Sequence, residues 1–477
     1  MAKFNSPQTI KTVNKSGHVA YGMTDKAKLV TQVLCSFFQE SKFYGDNSAE
    51  MREVIKRVIQ KDPEFVSKLA VFARREFNMR SVSHVLTAYL AHEANGKPFV
   101  RKTVKGVSLR GDDVTEIMSF YLSEFGKPVP NSLKKGIADV LIGLDEYQLA
   151  KYKGEGKAVK MRDLLCLCRP RPQTSAQESL WKRCLEGTLE VPVTWETQLS
   201  ANGNNAETWE KLIDSGKVGY MAYLRNLRNI LNANPRNVDK VLAKIADPVA
   251  VRKSKQLPFR YLSAYKSVNA SSKVYDALEA AVDASVDNLP KIPGTTVIAV
   301  DVSGSMGCTI SAKSDVRCCE IAMMLGMIAN RICENAILYT FDTSIKKYDV
   351  SHRNGILYTT IHSNMHGGGT NMSLPFQKMM QDHVKCDRFI ILSDNEVNSG
   401  YTWSCRETVQ ALADKYRRTT GNDIWVHAID LEGYGTQQFA GAKTNIIAGW
   451  SEKVFDFILL AEQGEGTLEK AIAAYEW

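Results

Sequence analysis

The sequence lacks the features that would place it in a membrane or outside a cell. No stretch approaches the ~18 uninterrupted apolar residues of a membrane-spanning helix, and the opening MAKFNSPQTI has no apolar core of a secretory signal. Ten cysteines lie at scattered spacings, the pattern of reduced thiols rather than of a disulfide framework. The expectation is a soluble cytoplasmic protein. Signatures of catalysis are missing too: there is no G-x-x-x-x-G-K-[ST] phosphate loop, no H-E-x-x-H helix and no G-x-S-x-G elbow. Neither Cys166-x-Cys168 nor Cys318-Cys319 has a second Cys/His pair at finger spacing, so these read as ordinary thiols rather than zinc ligands. A noncatalytic protein is therefore expected.

What is present is ordinary globular material, unevenly charged. Hydrophobic residues make up 44% and charged residues 24%, which excludes a wholly disordered chain. Residues 1–290 hold 44 Lys+Arg against 31 Asp+Glu, whereas the remainder holds 17 against 21. Such asymmetry points to a polyanion-binding part joined to a part with another task. Basic clusters occur at Arg101–Lys105 with Arg110, at Lys151–Arg171, at Arg225 and Arg228 with Arg236, and at Arg252–Arg260. The densest carries Lys151, Lys153, Lys157, Lys160, Arg162, Arg169 and Arg171 against Glu155 and Asp163. Lysines on a glycine-containing loop can follow a curved phosphate backbone, and Tyr152 is placed to stack on an unpaired base. Such loops are also common solvated surface, and Arg225 and Arg228 would serve equally as ion-pair partners of nearby acids.

The rhythm of the chain changes at Asp287–Gly294, where two prolines and a glycine interrupt a helical stretch. Before it lie about a dozen amphipathic helical segments. Asp62-Pro63-Glu64 reads as an N-cap with proline in the first turn, and Lys217–Asn232 sets Met221, Leu224, Leu227 and Leu231 on one face. After it, apolar strands at Thr296–Val302, Ala336–Phe341, Arg388–Ser393, Ile424–Ile429 and Asn445–Ala448 alternate with helices at Ser314–Cys333, Ser373–Asp382, Cys405–Arg418 and Glu452–Ala461. This alternation predicts a parallel doubly wound α/β sheet, with ligands beyond the carboxyl ends of its strands.

The first of those strands ends in Asp301-Val302-Ser303-Gly304-Ser305. Aspartate and serines at alternate positions gather oxygens of the kind that bind hard cations, Mg²⁺ above all, with Ca²⁺ or Mn²⁺ as alternatives. Gly367-Gly368-Gly369-Thr370 offers a further hydroxyl on a freely bending backbone, and Ser393-Asp394-Asn395 a second carboxylate. These elements, in this order, resemble the metal-ion-dependent adhesion site of the von Willebrand factor A family over 295–477. The resemblance implies a Rossmann-like domain in which Asp301, Ser303, Ser305, Thr370 and Asp394 hold Mg²⁺. One coordination position then stays open for a partner's carboxylate.

A second resemblance is carried by motifs spread over about 130 residues of the region 1–290. Lys134-Lys135-Gly136-Ile137-Ala138-Asp139, Lys151-Tyr152-Lys153, Arg162-Asp163-Leu164-Leu165, Leu224-Arg225-Asn226-Leu227 and Leu257-Pro258-Phe259 stand in the order of the Ro/TROVE family, directly before an A-type domain. That family implies an all-α HEAT-like helical repeat ring followed by the α/β domain. It further implies a monomer that binds small structured noncoding RNA (Y RNA-like) and single-stranded 3′ ends of misfolded or precursor RNA, with an exoribonuclease as a protein partner. Where the family often has Ser-His after D-L-L-x-L, this chain has Cys168-Arg169, which makes general RNA binding a firmer expectation than recognition of a Y-type RNA. The competing expectation is a Mg²⁺-dependent protein adaptor with no selective RNA affinity. A metal-dependent ribonuclease is less well supported, because only two carboxylates meet at one proposed ion.

Overall fold

The computed structural model describes residues 10–13, 19–22, 24–35, 49–309, 315–350, 354–363, 367–394, 409–431, 436–437, 439, 443–448, 453–463 and 467–477. Asn395 and residues 405–408 of the expected helix lie outside them. The described residues fall into two compact units, one of residues 25–193 with 468–477 and the other of residues 1–24 with 194–467.

The first unit is built of helices. Pro63–Arg75 starts as the sequence predicts: Asp62 caps it by accepting from the Phe65 amide at 3.0 Å, and Pro63 occupies the first turn, where its missing N–H costs nothing. The apolar faces of this helix and of Ser81–His92, Lys97–Val107, Asp113–Phe125 and Asn131–Ile142 bury Phe65, Leu69, Leu86, Tyr89, Val104, Ile117 and Ile137 together. Gly136 lets two of them approach closely, since a Cβ there would lie 3.0 Å from the Val104 Cβ. One buried carboxylate organises the polar interior. Asp113 accepts from Arg80 Nε at 2.7 Å, from Arg74 at 3.2 Å and from the Leu109 and Arg110 amides at 2.9 and 2.8 Å. Although burial opposes its ionisation, hydrogen bonds and charge from His84 and Arg80 hold it far below the usual carboxylate range. The last residues of the chain pack here too. Tyr475 meets Phe72 edge-on at 5.2 Å and donates to Glu76 Oε1 at 2.7 Å, while Lys102 lies over the Trp477 ring at 4.1 Å.

The second unit begins with helices, from Trp195–Asn202 to Ser272–Val286, and continues into the α/β sheet. Two short strands, β1 (Ile10–Val13) and β2 (Val19–Gly22), form an antiparallel pair near the chain's start. The main sheet comprises β3 (Ile292–Asp301), β4 (Cys333–Phe341), β5 (Ile345–Lys347), β6 (Arg388–Ser393), β7 (Trp425–Asp430) and β9 (Thr444–Ala448), in the order β5-β4-β3-β6-β7-β9. All its pairings are parallel except that of the edge strand β5. The intervening β8 (Thr436–Gln437) pairs instead with β2. The helical region followed by a mixed α/β sheet is the architecture the sequence predicts; the β1-β2-β8 sheet is an addition to it.

Val297–Val300 and Phe389–Leu392 are buried, as a parallel sheet covered on both faces requires. The helix Cys318–Ile332 lies against one face. Gly326 permits this contact, because a Cβ there would meet Val300 Cγ2 at 2.8 Å. Phe376, Phe389, Tyr416 and Phe439 form the aromatic centre of a second core cluster. Register fixes the functional end of the sheet: Val300 faces Leu392 and Asp301 faces Phe341, so β3, β4 and β6 end side by side.

Candidate metal centre and basic surface

The shared ends of β3, β4 and β6 bring the oxygen donors together. Asp301 is fully buried; its Oδ1 accepts from the Ser303 amide at 2.9 Å and its Oδ2 from Ser393 Oγ at 2.6 Å. Ser303 Oγ lies 3.2 Å from Ser305 Oγ and accepts from Thr370 Oγ1 at 2.9 Å. The glycine-rich loop carrying Thr370 is tied down by Gly304 N to Gly368 O at 2.9 Å and Gly367 N to Val302 O at 3.3 Å. Asp394 follows Ser393 and is also buried. Of the residues expected from the sequence, Asp301, Ser303 and Thr370 converge, with Ser305 within reach and Asp394 near Asp301.

Electrostatics tests whether these residues suit a cation. Burial, followed by the nearby Asp394 charge, pushes the Asp301 carboxyl up to about 7. The groups that offset this are hydroxyls and one amide rather than a cationic side chain. Two buried carboxylates beside three clustered hydroxyls make an all-oxygen donor set, and a hard divalent ion would remove their mutual repulsion. The residues fit Mg²⁺.

Two residues of this site were not singled out from the sequence. Ser393 orients Asp301 through its hydroxyl. Asp342, just past β4, is buried, accepts from Ser344 N at 2.7 Å through Oδ1, and has its Oδ2 3.4 Å from where a Gly368 Cβ would stand. Its signal in the sequence was its position at the end of a strand adjoining β3.

The basic segment is a short helix, Glu146–Lys151, a loop, and the helix Met161–Cys168. Gly154 and Gly156 take φ of 80° and 78°, a region that disfavours other residues, and the Met161 amide closes the loop by donating to Lys153 O at 3.1 Å. Its cations differ in availability. Lys157 pairs with Glu116 at 2.6 Å, Lys160 with Glu155 at 3.4 Å and Arg162 with Asp163 at 4.0 Å. Lys153, Arg169 and Arg171 are exposed, and none of the three has an ion pair among the described residues. Lys151 lies 5.3 Å from the Tyr147 ring centre and 5.5 Å from that of Tyr152. Tyr152 itself is half-buried: Arg110 sits 5.4 Å from its ring, and Gly111 leaves no room for a Cβ beside it. The exposed ring of this segment is Tyr147, which the sequence reading missed.

In the other unit, Arg225 and Arg228 project from the solvent face of the helix Tyr220–Ala233, while Leu224, Leu227 and Ile230 are buried. Neither arginine has an ion pair among the described residues, which removes the internal-salt-bridge alternative at these positions.

Comparison with known proteins finds two family models along the chain. The TROVE domain model matches residues 23–191 and 187–273, and the Ro60 vWA domain model matches residues 295–429. The chain is 26% identical over 339 residues to telomerase protein component 1 of Rattus norvegicus, covering 52% of this chain but only 13% of that protein. To the RNA-binding protein RO60 of Caenorhabditis elegans it is 26% identical over 250 residues, covering 48% of this chain and 38% of the relative. To the RNA-binding protein RO60 of Deinococcus radiodurans it is 21% identical over 486 residues, covering 87% and 89%. The crystal structure of the Deinococcus radiodurans RO protein superposes with a TM-score of 0.65 at 17% identity, over 94% of this chain and 99% of that one.

Proposed function

Since the chain belongs to the TROVE family, we propose that it is a noncatalytic RNA-binding protein. Its ligands are small structured noncoding RNA of Y RNA-like type and the single-stranded 3′ ends of misfolded or precursor RNA, and its work is RNA quality control, processing or decay. The observation that carries this reading is the segment 151–171, where Lys153, Arg169 and Arg171 stand exposed and unmatched by acids, with exposed Tyr147 in the helix that leads into it. Cations without internal partners are available to phosphate, and a tyrosine face is available to an unpaired base. The relatives named as RNA-binding proteins support the same assignment. Affinity of this kind falls steeply with salt.

The oxygen cluster has a separate role in this reading. Asp301, Ser303, Ser305, Thr370 and Asp394 hold Mg²⁺, with Ca²⁺ or Mn²⁺ as substitutes, and the bound ion takes a carboxylate of a protein partner such as an exoribonuclease. The protein acts as a monomer in the cytoplasm, where its scattered cysteines form no permanent disulfide framework. The convergence of three hydroxyls on one point also supports a second reading, in which the metal-dependent protein contact is the whole function and the basic surface is only solvated.

One experiment separates the two. The protein is purified from its own cells at low salt, and bound RNA is extracted and sequenced beside a Lys151/Lys153/Lys157/Lys160→Glu variant. A few abundant structured RNAs or 3′-extended precursors, absent from the variant, are the expected result. RNA no richer than in the variant would leave the adaptor reading.

A further inference from the structure

The chain leaving the oxygen cluster carries a feature that metal binding does not use. Cys308 lies three residues beyond Ser305, and its amide donates to the Ser305 carbonyl at 3.4 Å. Thr309 and Arg317 form an isolated antiparallel bridge, which sets Cys308 directly opposite Cys318, and the Cys318 amide donates to the Cys308 carbonyl at 3.0 Å. The two Sγ atoms are 3.2 Å apart. A disulfide needs about 2.05 Å between sulfurs and Cα atoms about 4.4–6.8 Å apart, a range that directly opposed residues of an antiparallel pair satisfy. Closing the remaining gap is a matter of side-chain rotation.

The two thiols also differ in the way a stepwise oxidation requires. Cys308 is exposed, whereas Cys318 is buried at the first residue of the fifteen-residue helix Cys318–Ile332. The N-terminus of that helix favours a thiolate. Among the described cysteines of the sheet domain, Cys319, Cys333 and Cys386 are buried thiols raised by burial, so the pair is set apart from them by its proximity and by the exposure of Cys308.

We propose that Cys308 and Cys318 form a reversible oxidation site, in which a hydroperoxide converts the pair to a disulfide that fixes the backbone leaving the Ser303–Ser305 loop. In the first step Cys308 sulfur attacks the peroxide oxygen, giving the Cys308 sulfenic acid and releasing water, or the alcohol from an organic hydroperoxide. In the second, Cys318 sulfur attacks the sulfenic sulfur; the S–S bond forms, the S–O bond breaks, and a second water leaves with the thiol proton. The peroxide O–O bond takes up the electron pair the two sulfurs lose, and an external dithiol reverses the reaction.

The test uses the wild-type chain, so that it does not depend on a variant folding. The reduced protein is titrated with hydrogen peroxide, quenched by alkylation and mapped by mass spectrometry without reduction. The expected product has lost two hydrogens, links the Cys308 and Cys318 peptides, and is restored by dithiothreitol. It forms before the exposed Cys166 is oxidised. In a Cys318→Ser variant, dimedone should trap the Cys308 sulfenic acid. The proposal is overturned if Cys308 proceeds to sulfinic acid while Cys318 remains a thiol, if Cys308 links to another cysteine, or if it reacts no faster than Cys166.

Discussion

The division between cations with and without internal partners makes a quantitative prediction about salt. An RNA contact that displaces condensed counterions contributes about 0.7 to the slope of log K against log salt for single strands and about 0.9 for duplex. Lys153, Arg169 and Arg171 have no ion pair among the described residues. Replacing all three by alanine should therefore flatten the slope by about 2–3 in total. Lys157 is different, because it already neutralises Glu116 at 2.6 Å. Removing both partners, Lys157→Gln with Glu116→Gln, leaves the net charge unchanged and should change the slope by well under one. Both variants and the wild type would be titrated by fluorescence anisotropy against one hairpin RNA with a single-stranded 3′ tail, between about 50 and 200 mM salt. Each variant's fold would be checked by circular dichroism. Equal slopes for the wild type and the triple-alanine variant would refute the argument, because cations outside this segment would then carry the phosphate contacts.

Other outcomes follow from the sheet domain. Asp301→Ala should abolish saturable Mg²⁺ binding by calorimetry while leaving RNA affinity within about threefold, under about 0.7 kcal/mol; loss of most RNA affinity in a folded variant would mean that the two functions are not separate. Mg²⁺-dependent RNA cleavage by the wild type, lost in Asp394→Ala, would overturn the noncatalytic assignment. At the opposite end of the sheet, buried Arg388 donates to both oxygens of Glu462 at 2.7 and 2.8 Å, and His427 Nε2 lies 2.9 Å from the same carboxylate. Burial pushes His427 below its ordinary range, and the permanent charge facing Glu462 is that of Arg388. Glu462→Gln strands that buried charge and should cost about 3–5 kcal/mol, read as a loss of hydrogen-exchange protection in β6 and β7. A loss below tenfold would contradict it. The hydrogen bonds and charge of its partners outweigh burial and hold Glu462 at about 2, below its ordinary 4.5. This stabilisation, of order 3 kcal/mol, is present above pH 4.5 and lost as pH falls toward 2. Acid unfolding of the wild type through that interval, with Glu462→Gln showing a weaker pH dependence, is the expected comparison.

The parts of the fold that were legible in the sequence are those written in contiguous residues. β6 runs from Arg388 to Ser393 as its apolar pattern predicts, because a strand buried on both faces leaves an unbroken apolar run. The oxygen cluster was legible for a related reason. Asp301, Ser303 and Ser305 share one loop, and Thr370 and Asp394 stand beyond the turn and strand that a parallel sheet must bring to the same edge. The β1-β2-β8 sheet was not legible. Its strands are two to four residues long, and β8 pairs with residues more than four hundred positions away, a partnership no local pattern records.

Charge shows most clearly where a sequence reading stops. In the string from Lys151 to Arg171, seven cations look equivalent, since each is a basic residue on polar, glycine- and proline-interrupted chain. Folding divides them. Lys157 finds Glu116, forty-one residues earlier, and Lys160 turns to Glu155 within its own loop. Arg169 takes a left-handed conformation, φ 46°, that ends the helix Met161–Cys168 and carries its side chain into solvent. The same division applies to Arg225 and Arg228, whose helix buries Leu224, Leu227 and Ile230, leaves Met221 of the expected apolar face exposed and Leu231 half-buried, and leaves both guanidinium groups without an ion pair among the described residues. Composition therefore bounds the charge a polyanion meets, while tertiary pairing decides how much is already spent. For this surface, the count that governs RNA affinity is the number of cations left over, and the salt slope measures that number directly.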